Sequence, residues 1–185
     1  MKKAVFLDRD GVLNREVDNL RRLSQLRLLP GVPEALKKIR ALGYLAIVVT
    51  NQPVVARGWL SEAGLKEVHD VLEKRLRRKG AVLDAIYYCP HHPNANLRKY
   101  RKTCSCRKSN LGLLRAATKK FHIDLKRSFM VGDSTRDIET GRRAEMRTIL
   151  VQTGYAGKDG KFGVKPDFVA RSLIAAAAII RKHGK

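Results

Sequence analysis

The chain predicts an α/β protein: a parallel sheet wound with helices on both faces. Three observations carry this. Short, nearly continuous apolar runs recur, as in Ala4-Val5-Phe6-Leu7, Leu45-Ala46-Ile47-Val48-Val49 and Phe129-Met130-Val131. Strands buried on both faces read in this way. Between the runs lie stretches with helix start and stop signals. Several runs also end in polar residues, Asp8, Thr50 and Asp133, and open α/β sheets bind ligands at the carboxyl ends of their strands.

The elements follow in order. The first strand covers residues 3–8, and a polar, basic stretch follows at 14–29. Pro30-Gly31-Val32-Pro33 opens a helix over 32–42, with proline in its first turn, and Gly43 ends it. The second strand is 45–50. Ser61 caps the next helix alone, because Gly64 stands where a capping box needs an acid or amide. That helix runs to about Lys79, and Gly80 stops it. A strand at 83–88 leads into a loop over 89–110. Then come a helix at 111–121, a strand at 128–132, a helix at 135–144 and a strand at 147–151. Residues 154–166 form a glycine- and lysine-rich loop, and Pro166-Asp167-Phe168-Val169 reads as a short edge strand. The alanine-rich, amphipathic helix over 171–182 covers the sheet.

A chain of 185 residues is long enough for one domain with a real core, so residues 1–185 are read as a single domain. With 44% hydrophobic residues the chain is globular rather than disordered. No apolar run reaches the length of a membrane span. Asp8 cuts short the only run that mimics a signal peptide, which predicts a cytoplasmic protein without membrane partners. Lys and Arg number 39 against 17 Asp and Glu, a net charge of +22. Such a surface predicts non-specific association with polyanions and faster encounter with anionic substrates. Aromatic residues are only 6%, too few for a stacking platform for single-stranded nucleic acid.

Asp8 and Asp10 lie two positions apart at a strand end, so strand alternation brings them to one side. Gly11 lets the chain turn just past them. Two convergent carboxylates suit a hard divalent cation such as Mg2+. A carboxylate is also a competent nucleophile toward phosphate. The second strand ends in Thr50-Asn51-Gln52, with hydroxyl and amide donors for phosphate oxygens. The fourth ends in Gly132-Asp133-Ser134-Thr135-Arg136-Asp137, and Arg107-Lys108 supplies cations between them.

The three cysteines are odd in number and clustered, which favours metal over disulfide. Cys89-x-His91 and Cys104-x-Cys106 bracket one loop. Three thiolates and an imidazole make a closed tetrahedral Zn2+ site, structural in role because no position is left for water. Spacing alone allows either His91 or His92 as the imidazole. The site would pin the long loop and carry Arg107 and Lys108 toward the carboxylates.

Taken together, DRDGVLN, VVTNQ, Lys108 and GDSTRD resemble the four motifs of the haloacid dehalogenase-like phosphohydrolases, across residues 8–137. The loop IYYCPHHP and the segment CSCRK narrow the likeness to the histidinol-phosphatase-like branch, and within it to the heptose-bisphosphate phosphatases. The resemblance implies a Rossmann-like fold. Only about thirty residues separate the first two motif strands, too few for the large cap domain of many relatives. The site should be open, or lidded only by the 14–29 and 89–110 loops. The resemblance favours His91 as the zinc ligand. It implies Asp8 as nucleophile, Asp10 as acid and base, and Mg2+ held by the Asp8 carboxylate, the Asp10 carbonyl and the Asp133 carboxylate. Thr50, Asn51, Lys108 and Ser134 would hold the phosphate. Glu16, Asn19 and Arg107 would meet the rest of an anionic phosphorylated sugar. Asp137 would orient Lys108 or the metal's water shell, or serve only as an acid at a helix N-terminus. Absence of a cap and of long apolar edges predicts a monomer.

Two departures fall at expected substrate contacts. Pro53-Val54-Val55 stands where relatives commonly read Ser-Gly-Ile, and Pro53 lacks a backbone donor. Glu16-Val17-Asp18-Asn19 stands where heptose phosphatases usually carry a glycine-tyrosine pair. The alternatives are therefore a phosphatase for histidinol phosphate or another small metabolite, and a nucleic-acid 3′-phosphatase or basic nucleic-acid-binding module.

Overall fold

A computed structural model describes residues 1–184. Six parallel strands build one sheet: β1 (Lys3–Leu7), β2 (Tyr44–Asn51), β3 (Ala85–Cys89), β4 (Phe129–Gly132), β5 (Arg147–Val151) and β6 (Phe168–Ala170). Their order is β3-β2-β1-β4-β5-β6, the doubly wound arrangement of Rossmann-like folds. The helices are α1 (Val32–Ala41), α2 (Pro53–Ala56), α3 (Glu62–Arg77), α4 (Gly112–Phe121), α5 (Thr135–Arg143) and α6 (Leu173–His183).

Alternation along the strands divides the core in two. Val5 and Leu7 of β1, with Val48 and Val131, face α1, α3 and α6. Ala4 and Phe6, with Ile47, Val49 and Met130, face α4 and the turn after α5. Both faces of the central strands are dry, which explains their unbroken apolar runs. The order in which strands are added reverses between β1 and β4, which run parallel, so the switch point opens above their carboxyl ends.

Most boundaries agree with expectation to within two residues. Ser61 caps α3, its hydroxyl accepting from the Gly64 amide at 3.0 Å. The sequence reading missed α2. Its Pro53 occupies the first helical turn, where an amide donor is not needed, so it begins a short helix rather than a loop. The first strand is shorter than expected. It stops at Leu7, so Asp8 and Asp10 lie in the turn beyond it and strand alternation does not govern them. Among the described residues, no helix is long and apolar enough to cross a membrane.

Candidate active site

The loops after β1, β2, β3, β4 and β5 line a cleft of about 230 Å³ at the switch point. It gathers Asp8, Asp10, Glu16, Asn19, Thr50, Asn51, Arg107, Lys108, Asp133 and Ser134, residues far apart in sequence. Two glycines permit this density. Gly11 turns with φ +74°, and a Cβ there would lie 2.2 Å from Asp133 Oδ2. A Cβ on Gly132 would lie 2.1 Å from Asp137 Cβ.

Lys108 stands at the centre, with its ammonium 2.9 Å from Asp8 Oδ2 and 2.6 Å from Asp137 Oδ1. Asp137 touches both Lys108 and the start of α5. Its other oxygen accepts from the Ser134 hydroxyl at 2.6 Å and the Ser134 amide at 3.2 Å, closing the N-terminus of α5. The Ser134 hydroxyl is therefore turned to Asp137, although the residue lines the cleft. The Asn51 side chain is also engaged. It accepts from the Lys108 amide at 2.9 Å and donates to the Lys108 carbonyl at 3.0 Å, gripping that residue's backbone.

Asp8, Asp133 and Asp137 offer carboxylate oxygens within 4.8 Å of one another. Burial raises the Asp8 carboxyl to about 6, against the pull of Lys108 and with the push of Asp137. Burial, Asp137 and Asp8 raise Asp133 to about 9, although the Tyr155 amide donates to it at 2.8 Å. One lysine does not balance three carboxylates, two of them buried and Asp8 half-buried. This surplus of hard oxygen donors and negative charge fits a divalent cation such as Mg2+.

Asp10 behaves differently. Burial raises it, but the Arg9 guanidinium and hydrogen bonds from Asn14, Arg9 and Gln52 more than offset this and hold it below the usual carboxylate range. Arg9 Nη2 lies 2.8 Å from Asp10 Oδ2, Asn14 Nδ2 lies 2.8 Å from Oδ1, and Gln52 Nε2 lies 2.9 Å from Oδ2. Gln52 also donates to Thr50 Oγ1 at 2.9 Å, leaving the threonine hydroxyl hydrogen free for another acceptor.

The sequence reading missed Arg9, Asn14 and the loop after β5, and it took the Gln52 amide as a donor to phosphate, whereas the structure turns it to Asp10 and Thr50. Arg9 could have been flagged as an arginine between two site carboxylates. The loop after β5 brings Tyr155, Asp159 and Lys161 to the cleft, and Arg136 joins them from α5. The site is thus flanked by more than the two loops expected. Asp159 accepts from the Thr135 amide at 2.7 Å, and Thr153 donates to the Gly11 carbonyl at 2.6 Å. These contacts tie the loop down, and no sequence spacing indicates them.

The cysteine loop forms a second cluster. The Sγ atoms of Cys89, Cys104 and Cys106 lie 3.1–3.5 Å apart, and His91 Nδ1 is 3.3 Å from Cys106 Sγ. The ring of His92 turns away and accepts from the Asn94 amide, which resolves the choice left open by spacing. Burial pushes the Cys89 thiol up, whereas at Cys104 burial is outweighed by hydrogen bonds from Cys106 and Cys89, which lower it, so it is the Cys89 sulfur above all that needs a cation to become a thiolate. Three sulfur donors and one imidazole nitrogen fit Zn2+. The next residue, Arg107, donates to the His91 carbonyl at 3.0 Å, which couples the cluster to the cleft.

A family model described as HAD-hydrolase-like matches residues 105–176. D-glycero-beta-D-manno-heptose-1,7-bisphosphate 7-phosphatase of Pasteurella multocida is 42% identical over 183 residues, covering 98% of each chain. A Photorhabdus laumondii protein named for the alpha form, D-glycero-alpha-D-manno-heptose-1,7-bisphosphate 7-phosphatase, is 42% identical over 154 residues, 83% of this chain and 84% of its own. Among solved structures, D,D-heptose 1,7-bisphosphate phosphatase from B. bronchiseptica, complexed with magnesium and phosphate, superposes with a TM-score of 0.87. It is 32% identical, with coverage of 97% of this chain and 98% of that one.

Proposed function

The chain belongs to the haloacid dehalogenase-like phosphatases, and we propose that it removes the 7-phosphate of D-glycero-D-manno-heptose 1,7-bisphosphate through an aspartyl-phosphate. The observation that carries this reading is the meeting of Asp8, Lys108, Asp133 and Asp137 in one cleft. We take residues 1–185 as one catalytic domain, because the described residues build a single sheet with the cleft at its centre.

In this reading Asp8 attacks phosphorus. The ester P–O bond breaks, and the leaving alkoxide takes a proton from Asp10. Water then attacks the aspartyl-phosphate, Asp10 accepts the water's proton, and inorganic phosphate leaves. Arg9, Asn14 and Gln52 favour the base form of Asp10, so its protonated form belongs to the substrate-bound state. Lys108 and the Thr50 hydroxyl hold phosphoryl oxygens, and Asn51 fixes the Lys108 backbone. Asp8 and Asp133 would hold Mg2+ together with the Asp10 carbonyl. When bound, the ion neutralises charge on the phosphoryl oxygens. Cys89, His91, Cys104 and Cys106 would hold a structural Zn2+.

The mouth supports a substrate with a second anionic group. Arg107 is pushed down by burial and by the charges of Arg136 and Arg57, a crowd of cations that an anion would relieve. Glu16, Asp18 and Asn19 line the same cleft.

The test is magnesium-dependent phosphate release from both anomers of heptose 1,7-bisphosphate, histidinol phosphate and a 3′-phosphorylated oligonucleotide. A clear preference for a heptose bisphosphate is expected, and the ratio of the anomers assigns the form used. Equal weak rates, or preference for another member of the panel, would overturn the substrate.

A further inference from the structure

Asp10 is backed by a side chain that lies outside the cleft. Arg9 is completely buried, and a buried guanidinium needs acceptors for its N–H groups. Its Nε and Nη2 serve the Asp10 carboxylate, and Nη2 also donates to Gln52 Oε1 at 2.9 Å. Nη1 lies 3.1 Å from Nε2 of His69, on α3. A guanidinium only donates, so His69 Nε2 must accept, and the ring carries its proton on Nδ1. Burial and the Arg9 charge lower His69 to about 3, in keeping with a neutral acceptor. The ring is fixed from a second side by Tyr88, with centroids 5.7 Å apart, and the Tyr88 hydroxyl donates to Glu62 at 2.9 Å.

We propose that His69 is a positioning residue for the acid–base carboxylate: it holds the outer end of Arg9 and so keeps the other edge of the guanidinium on Asp10. Arginine binds a carboxylate in a planar fork, so its hold on Asp10 depends on the plane of the guanidinium. An acceptor at Nη1 fixes that plane from behind. Without it, Arg9 turns toward another acceptor and carries Asp10 with it. His69 itself bonds to Arg9 and not to the groups that hold the phosphoryl oxygens. The inference rests on the reading of Asp10 as the acid and base, and its test separates the two.

An alkyl phosphate needs a proton delivered to its leaving oxygen, whereas 4-nitrophenyl phosphate releases a stable anion without one. The experiment measures kcat/KM for the best alkyl phosphate of the panel and for 4-nitrophenyl phosphate on each preparation. The ratio of the two constants does not depend on how much of the protein is correctly folded. Asp10→Asn is expected to lower the alkyl-to-aryl ratio strongly, since acid–base groups contribute about 10²–10⁴-fold. His69→Leu is expected to lower it in the same direction by about tenfold, a fraction of that contribution. His69→Asn, polar but too short to reach Arg9, should match His69→Leu. His69→Gln, a neutral acceptor of greater reach, should recover most of the ratio. If Asp10→Asn lowers the ratio and His69→Leu and His69→Asn do not, the role of His69 is refuted and that of Asp10 stands. If Asp10→Asn leaves the ratio unchanged, the acid role fails and the inference fails with it.

Discussion

The carboxylate cluster and the thiol cluster are both candidate metal centres, yet they are built in opposite ways. Asp8, Asp133 and Asp137 lie just past β1 and β4, on elements that the sheet already holds in place. The thiols and His91 lie on a long loop anchored to the sheet chiefly through Cys89 at the end of β3. The first cluster uses hard oxygens around a lysine, the second soft sulfurs and one imidazole. A rigid scaffold can hold surplus like charge in readiness for a ligand, whereas a loop without regular structure needs the ligand to become ordered. Loss of the first cluster should therefore silence chemistry and spare the fold. Loss of the second should loosen the fold and reach the chemistry only through Arg107 and Lys108.

The largest expected effect tests the first half of that contrast. Asp8→Asn should reduce phosphate release to background, while the thermal unfolding midpoint holds or rises, because burial already disfavours the Asp8 charge. Retained turnover in a clean preparation would remove Asp8 as nucleophile, and a collapse of the midpoint would break the contrast. The second half is tested by Cys104→Ala with Cys106→Ala. The pair should lose bound zinc by elemental analysis and lower the midpoint by roughly 5–10 °C, about 2–3 kcal/mol at this chain length. An unchanged midpoint would show that the loop does not depend on its metal.

A smaller effect probes the join between the clusters. Asn51→Ala frees the Lys108 backbone from both of its amide contacts. It should cost about tenfold in kcat/KM, the worth of one to two net hydrogen bonds, with zinc content unchanged. Loss of zinc in that variant would mean that the two regions are not separable.

The smallest effect concerns the rim. Burial first, then the charges of Asp10 and Asp8, raise Glu16 from 4.5 to about 7. Because the folded value is the higher one, its contribution to stability is full below pH 4.5 and fades as pH rises through about 7. Across the same window Glu16 gains a negative charge at the mouth of a site for anions. KM should rise from pH 6 to pH 8 in the parent and rise less in Glu16→Gln. Parallel profiles would place Glu16 outside the substrate's field.

The buried strands read plainly from the chain because they are dry on both faces, so their composition reports their environment directly. Asp8 and Asp133 were legible for a related reason: a carboxylate ending an apolar run is conspicuous. Lys108 was legible only beside its motif, since among 39 basic residues no local signal separates it from a solvated lysine. The loop after β5 carried no such mark. Its hold on the site comes from the Tyr155 amide on Asp133, which many sequences could make, and from single side chains, Asp159 and Thr153, whose partners Thr135 and Gly11 lie far away in the sequence.

By itself, then, the sequence determined the parallel α/β sheet, the carboxylates at its strand ends and the three cysteines that bracket one loop. Each is written in local pattern: burial in composition, turns in glycine, metal donors in spacing. Only the tertiary structure decided that Asp10 is clamped by Arg9, Gln52 and Asn14, that Asn51 and Ser134 hold protein groups, and that His91 rather than His92 joins the thiols. Those outcomes depend on which donor is nearest when several buried polar groups compete for partners. That competition is settled in space, between residues whose separation along the chain carries no trace of it.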